Sequence, residues 1–174
     1  MNKHDNKKPA FYTIWYDCRE DKNTSFEVER ALKAFKQSGR YDNSIVIMCS
    51  DHGYPDPSSG LTEETMKKYT HDMIITEDNI KVPLMIKYPG CPKGKKVTNE
   101  VGTVDIFPTI CEIYNLPEKN TQFKYKGQSL LNIVNSNSNE NRTARIDTRL
   151  NMADSRFTGL VKDRIKYIYY WDQK

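Results

Sequence analysis

The chain has 174 residues, 37% hydrophobic and 29% charged, with a formal net charge of +4. That length and balance suit one folded domain with a core of ordinary size and exclude a chain too polar to collapse. Basic residues are scattered and interleaved with acids, as in Lys93-Gly94-Lys95-Lys96 and Lys162-Asp163-Arg164, so a nucleic-acid partner is not expected.

The first nine residues are polar and lack the apolar stretch of a signal peptide. No run is long enough to span a bilayer. The chain as it stands is therefore expected to be cytoplasmic, an expectation that lapses if a segment precedes it. The four cysteines, Cys18, Cys49, Cys91 and Cys111, have no C-x-x-C spacing, which argues against a zinc knuckle or redox pair.

Ala10 to Tyr16 is rich in aromatic residues and reads as a strand. Thr24-Ser25-Phe26-Glu27 is a capping box opening a helix, along which Val28, Ala31, Leu32 and Phe35 recur at helical spacing. Gly39 can close it in the left-handed conformation. After a turn at Tyr41-Asp42-Asn43, Ser44 to Cys49 is an apolar run read as a buried strand, with Cys49 as a small buried hydrophobe. Strand, helix, strand in this order predicts a βαβ unit and a parallel sheet.

Tyr54 to Gly60 is a loop. Thr62 to Tyr69 suits a helical turn, with acids first and lysines last. Val82 to Tyr88 is a third strand. Asp105 is expected to cap a helix whose apolar face is Ile106, Phe107, Ile110, Ile113 and Tyr114, with Pro108 in its first turn. Gly127 to Val134 suits a short helix, and Asn135 to Asn141 a polar surface loop. Beyond it Ala144–Leu150, Phe157–Lys162 and Ile165–Trp171 read as strands without intervening helices, hence a small antiparallel sheet. The expected organisation is an α/β part over residues 1–134 and an antiparallel β subdomain over 142–174.

Asp51-His52-Gly53 follows directly on the second strand. Carboxylate oxygen suits Ca²⁺, Mg²⁺ and Mn²⁺, and imidazole shifts preference toward Zn²⁺ or Mn²⁺. Adjacent ligands can converge on one ion if the strand breaks there, which Gly53 permits. The alternative is a surface turn in which Asp51 caps a neighbouring N–H and His52 is incidental.

Ser44 to Gly53 resembles the "dnTivvftSDHG" segment of sulfatases, in the alkaline phosphatase superfamily. Lys81 to Gly90 resembles the family's "rVPliir-PG" strand, Val104 to Ile110 its "vDi-PTil" helix, and Gly127 to Leu131 its "GxSLl" turn. Ile165 to Tyr169 is similar to its "yKYI" strand, and Ala10 to Asp17 to its "FyyiWyD" strand. The resemblance implies a partial alkaline-phosphatase-like sheet with flanking helices. It implies that Asp51 and His52 ligate a divalent ion (Ca²⁺, Mn²⁺ or Zn²⁺) in a hydrolase of sulfate or phosphate esters. Sulfuric esters are favoured. The His at the second position is more typical of the phosphonate monoester hydrolase and phosphoglycerol or phosphoethanolamine transferase side of the superfamily, which keeps the ester type open, with a phosphoryl or phosphonate ester hydrolase or transferase as the alternative.

His71 stands where sulfatases usually carry a substrate-contacting Lys. It could donate to a sulfuryl or phosphoryl oxygen, protonate a leaving group or ligate the metal. Lys67 or Lys68 could supply the cation instead, and His4 is expected to be inert. The nucleophile motif C/S-x-P-x-R and the acidic pair of the family's first strand are not found in these 174 residues. Cys91-Pro92-Lys93-Gly94-Lys95 lacks the motif's Pro and Arg positions. The expectation is a fragment, incomplete alone, whose partner is a missing N-terminal half; the rival reading is a non-catalytic metal- or partner-binding remnant.

Overall fold

The computed structural model describes residues 24–55, 59–68, 75–116, 127–136, 142–148 and 155–172. The strand expected at Ala10–Tyr16 lies outside them. Two compact units divide the chain, one reaching to Val46 and taking in Ile86–Gly90, the other formed by Ile47–Met85 and the residues from Cys91 onward.

In the first unit, helix α1 spans Thr24–Gln37. Val28, Ala31, Leu32 and Phe35 form its half-buried stripe, and Glu29, Arg30 and Lys33 are exposed. Glu27 in the first turn and Lys36 in the last complement the helix dipole. Gly39, at φ +69°, closes the helix as its sequence position predicts. The chain then turns, with Ser44 N–H donating to Tyr41 O at 3.3 Å. Lys87 clamps this turn. Its Nζ donates to the carbonyls of Tyr41, of Asp42 at 2.8 Å and of Ser44 at 3.1 Å, and sits 4.7 Å from the centroid of the Tyr41 ring. Phe35 meets the same ring edge-on at 6.0 Å.

Strands β1 (Val46–Cys49) and β2 (Leu84–Lys87) are neighbours in a two-stranded sheet. The expectation of a buried strand fails in part. Val46 to Met48 are half-buried and Cys49 is exposed. Among the described residues a single strand flanks β1, which leaves the Cys49 thiol exposed.

In the second unit, α2 (Glu63–Lys68) starts where Thr62 Oγ1 accepts the Thr65 N–H at 3.1 Å, an N-cap. The single turn α3 (Glu77–Ile80) was not anticipated. Helix α4 (Ile106–Ile113) follows a 3₁₀ turn at Thr103–Asp105, and α5 spans Leu131–Asn135. Asp105 does not cap α4 with its side chain. It turns back to accept the Gly102 N–H at 2.9 Å and across to accept the Gln128 N–H at 2.8 Å. Its carboxylate also pairs with Arg142 at 3.0 Å, both side chains being buried. Thr109, the most buried side chain described, donates to Asp105 O and accepts from Leu130 N–H. This polar node displaces the expected apolar face. Ile106, Ile110 and Ile113 stay half-buried, whereas Phe107 and Tyr114 lie on the exposed side.

Strands β3 (Ala144–Thr148), β4 (Ser155–Lys162) and β5 (Ile165–Asp172) form an antiparallel sheet in that order. Asp163 and Arg164 make the β4–β5 turn at φ +53° and +63°, the left-handed pair that matches strand twist. Gly159 is buried, and a Cβ there would already touch Ile146 at 3.4 Å. Among the described residues no helix is long and apolar enough to cross a membrane.

Candidate metal-binding site

At the end of β1 the backbone breaks into a tight set of local bonds. Ser50 Oγ donates to His52 O at 2.6 Å and lies 3.5 Å from Asp51 Oδ1. The His52 N–H donates to Asp51 Oδ1 at 2.9 Å. That bond chiefly holds the Asp51 carboxyl below its usual range. The neighbouring imidazole and the Ser50 hydroxyl add to it, and slight burial opposes it. Asp51 is therefore a carboxylate at neutral pH.

His52 Nδ1 lies 2.6 Å from Gly53 O. A carbonyl can only accept, so Nδ1 carries the proton and, in the neutral ring, Nε2 carries the lone pair. Nε2 stands 3.7 Å from Asp51 Oδ2. Metal-ligating histidines commonly hold their second nitrogen on a backbone carbonyl in this way. The donor chemistry thus fits a divalent ion: one carboxylate oxygen and one imidazole nitrogen, side by side and partly open to solvent. Among the described residues no group of three or more His, Cys, Asp or Glu side chains is assembled to hold an ion. Two ligands alone bind weakly.

Gly53 fixes this turn to α3. Its N–H donates to Asn79 O at 2.7 Å, and a Cβ on it would lie 1.9 Å from Asp78 O. Only glycine fits, for close approach rather than for an unusual φ. α3 is anchored in turn from β5. Lys166 Nζ donates to Ile75 O at 2.7 Å and pairs with Glu77 at 2.8 Å. Sequence reasoning missed this support. The signal available was Glu77-Asp78 at the start of a turn; nothing linked Lys166 to it across 89 residues.

Of the remaining predicted site residues, His71 lies outside the described residues. Lys68 ends α2, and its side chain also lies outside them. Lys67 is exposed and pairs with Glu63 one turn earlier at 3.7 Å. Cys91 is half-buried with a free thiol.

The fold matches that of a known protein, and the sequence matches a known family. The structure resembles the phosphonate monoester hydrolase SpPMH from Silicibacter pomeroyi, with a TM-score of 0.54 and 18% identity, covering 85% of this chain and 32% of that one. The likeness is one of fold, a partial alkaline-phosphatase-like α/β arrangement. The family model described as Sulfatase matches residues 19–116, a stretch that contains the Asp51-His52-Gly53 turn. The chain belongs to the sulfatase family. A sulfatase of Formosa agariphila is 31% identical over 123 residues, 71% of this chain and 22% of the relative. The extracellular sulfatase SULF-1 homolog of Drosophila melanogaster is 30% identical, over 68% of this chain and 9% of the relative. The N-acetylglucosamine-6-sulfatase of Homo sapiens is 30% identical, over 64% and 19%. The chain spans less than a quarter of the length of these curated relatives.

Proposed function

We propose that this chain contributes the Asp51–His52 part of a divalent-metal site to a sulfatase-type ester hydrolase. The observation that carries the reading is the His52 ring, tied at Nδ1 to Gly53 O with Nε2 facing Asp51 Oδ2 at 3.7 Å. Asp51 Oδ2 and His52 Nε2 would hold the ion. A bound divalent ion supplies Lewis-acid polarisation of an ester oxygen and favours the ionised nucleophile. Ser50 and the His52 N–H keep Asp51 ionised and aimed; Gly53 and α3 keep the strand end in place.

The ester is a sulfuric ester, on the strength of the family. His52 at the second motif position favours a phosphoryl or phosphonate ester as the second reading. His71 or Lys68 supplies a donor to the non-bridging oxygens. Since covalent ester hydrolysis needs a nucleophile and no C/S-x-P-x-R occurs here, turnover requires a second segment bearing it.

Two measurements test this. Mn²⁺ titration of the full chain, followed by electron paramagnetic resonance, should show a site that Asp51→Asn and His52→Ala abolish. Co-expression with a polypeptide carrying the nucleophile segment should give hydrolysis of an aryl sulfate above that of an aryl phosphate or phenylphosphonate ester. Absence of Mn²⁺ binding in the wild-type chain would overturn the metal reading. Reversal of the ester order would transfer the site to the second reading.

A further inference from the structure

Helix α3 is too short to hold itself. It is four residues long, with Asn79 and Ile80 N–H donating to Thr76 O and Lys81 N–H to Glu77 O. A lone turn of this length does not persist in water, because nucleation fixes several residues for each bond that it closes. Its N-cap, Thr76, makes no side-chain capping bond. The turn therefore depends on what grips it from outside.

Both of its ends are gripped. At the entry, Lys166 Nζ donates to Ile75 O at 2.7 Å and pairs with Glu77 Oε1 at 2.8 Å. Toward the exit, Asn79 O accepts the Gly53 N–H at 2.7 Å. Asp78 O packs against the same glycine, so closely that a Cβ there would lie 1.9 Å from it. The peptide that supplies this N–H is held at its other edge too, where His52 O accepts from Ser50 Oγ at 2.6 Å. Held at these points, Gly53 loses the backbone freedom that its missing side chain would allow. Its own carbonyl, 2.6 Å from His52 Nδ1, is thereby given a direction. One line of contacts thus runs from Lys166 through Ile75, α3 and Gly53 to His52.

We propose that Lys166 is a positioning residue for the Asp51–His52 site: by fixing the entry of α3 it sets the Gly53 carbonyl that selects the His52 tautomer, and with it the affinity for a divalent cation. The affinity part rests on the metal reading above; the tautomer part does not. The two bonds of Lys166 are unequal. Ile75 is buried, and its carbonyl is costly to leave without a donor. The Lys166 side chain is 19% exposed, but that of Glu77 is 69% exposed, so water and salt screen the ion pair. The bond to the Ile75 carbonyl carries the effect, and the charge of Glu77 adds little. Lys166 touches neither Asp51 nor His52 and acts through the backbone of α3 alone.

The test compares the full wild-type chain with Lys166→Met, which keeps the stem and removes the donor, and with Glu77→Gln, which removes the counter-charge. In EDTA at alkaline pH, nitrogen-15 shifts of the His52 ring should report the Nδ1–H tautomer in the wild type and in Glu77→Gln, and a mixture of both tautomers in Lys166→Met. Mn²⁺ affinity, read by electron paramagnetic resonance, should fall about tenfold in Lys166→Met, the scale of loss for the outer partners of a metal-ligating histidine. In Glu77→Gln it should stay within about twofold of the wild type, as for an exposed pair. Linkage requires the reverse effect in the unaltered chain. Mn²⁺ should slow amide deuterium exchange at residues 76–81 more than elsewhere in the second unit, read by mass spectrometry. That measurement decides the matter even if Lys166→Met does not fold. A folded Lys166→Met with the wild-type tautomer or wild-type affinity, a Glu77→Gln loss as large as that of Lys166→Met, or exchange at 76–81 indifferent to bound Mn²⁺ would each overturn the proposal. If the wild type binds no Mn²⁺, the metal reading falls, and the tautomer comparison in EDTA decides the role of Lys166 on its own.

Discussion

A histidine serves a cation only through a nitrogen that carries no proton. In this chain that choice is made by one backbone carbonyl, Gly53 O, 2.6 Å from Nδ1. His52→Gln keeps a polar side chain but loses the imidazole, and Mn²⁺ affinity should fall by more than about tenfold. Nitrogen-15 shifts of the wild-type ring above pH 8 should report the Nδ1–H tautomer; a dominant Nε2–H tautomer would remove the argument. Residue identity also shows at the β4–β5 turn. Asp163 tolerates the left-handed region, but Arg164 at φ +63° does not do so readily. Arg164→Gly should raise stability by about 1 kcal/mol, the cost of that conformation for a residue with a Cβ. Thermal unfolding checks it, and a loss of stability would show the arginine side chain doing work that the backbone argument omits. The motif Asp51-His52-Gly53 was legible because it is contiguous and follows an apolar run. Its tautomer was not, because it depends on a carbonyl direction that no residue type encodes.

At the scale of elements, legibility followed length. α1 shows three turns of periodicity between a capping signal and Gly39, and the structure places it at Thr24–Gln37. The two long strands β4 and β5 were equally plain. α3, four residues long, has no period to read. The Asp105 node shows why α4 was only half legible. Pattern reading assigned Phe107 and Tyr114 to the core, but a buried carboxylate with three partners orients the helix by its polar side. α3 carries a consequence for the site. It accepts Gly53 N–H through Asn79 O and is clipped by Lys166 from β5. Lys166→Ala removes two bonds made by an ammonium group that is only partly exposed. The expected cost is about 1.5–3 kcal/mol. Amide hydrogen exchange should accelerate at residues 75–80 and at Gly53 before the rest of the second unit. Exchange that rises uniformly would mean that Lys166 supports the unit as a whole rather than α3.

For the molecule as a whole, the buried apolar side chains are few among the described residues of the second unit: Ile75, Leu130 and Ile133. Among those residues, polar contacts also join the elements. Arg142 and Asp105 form the deepest ion pair among the described residues, with side chains 8% and 7% exposed. Through them the start of α4, the 127–130 segment and the approach to β3 meet at one carboxylate. An ion pair this buried is a poor source of net stability when compared with apolar packing, yet breaking it from one side is costly because the other charge stays behind. Arg142→Ala should thus destabilise the chain by about 3–5 kcal/mol. Asp105→Asn in the Arg142→Ala background should recover part of that loss, since the orphaned charge is gone while one oxygen can still accept from Gly102 or Gln128. Urea midpoints of the two single variants and the double variant close the cycle. A double variant less stable than Arg142→Ala would mean that the Asp105 charge is held by the backbone N–H groups alone, and the arginine would lose its place as the counter-charge.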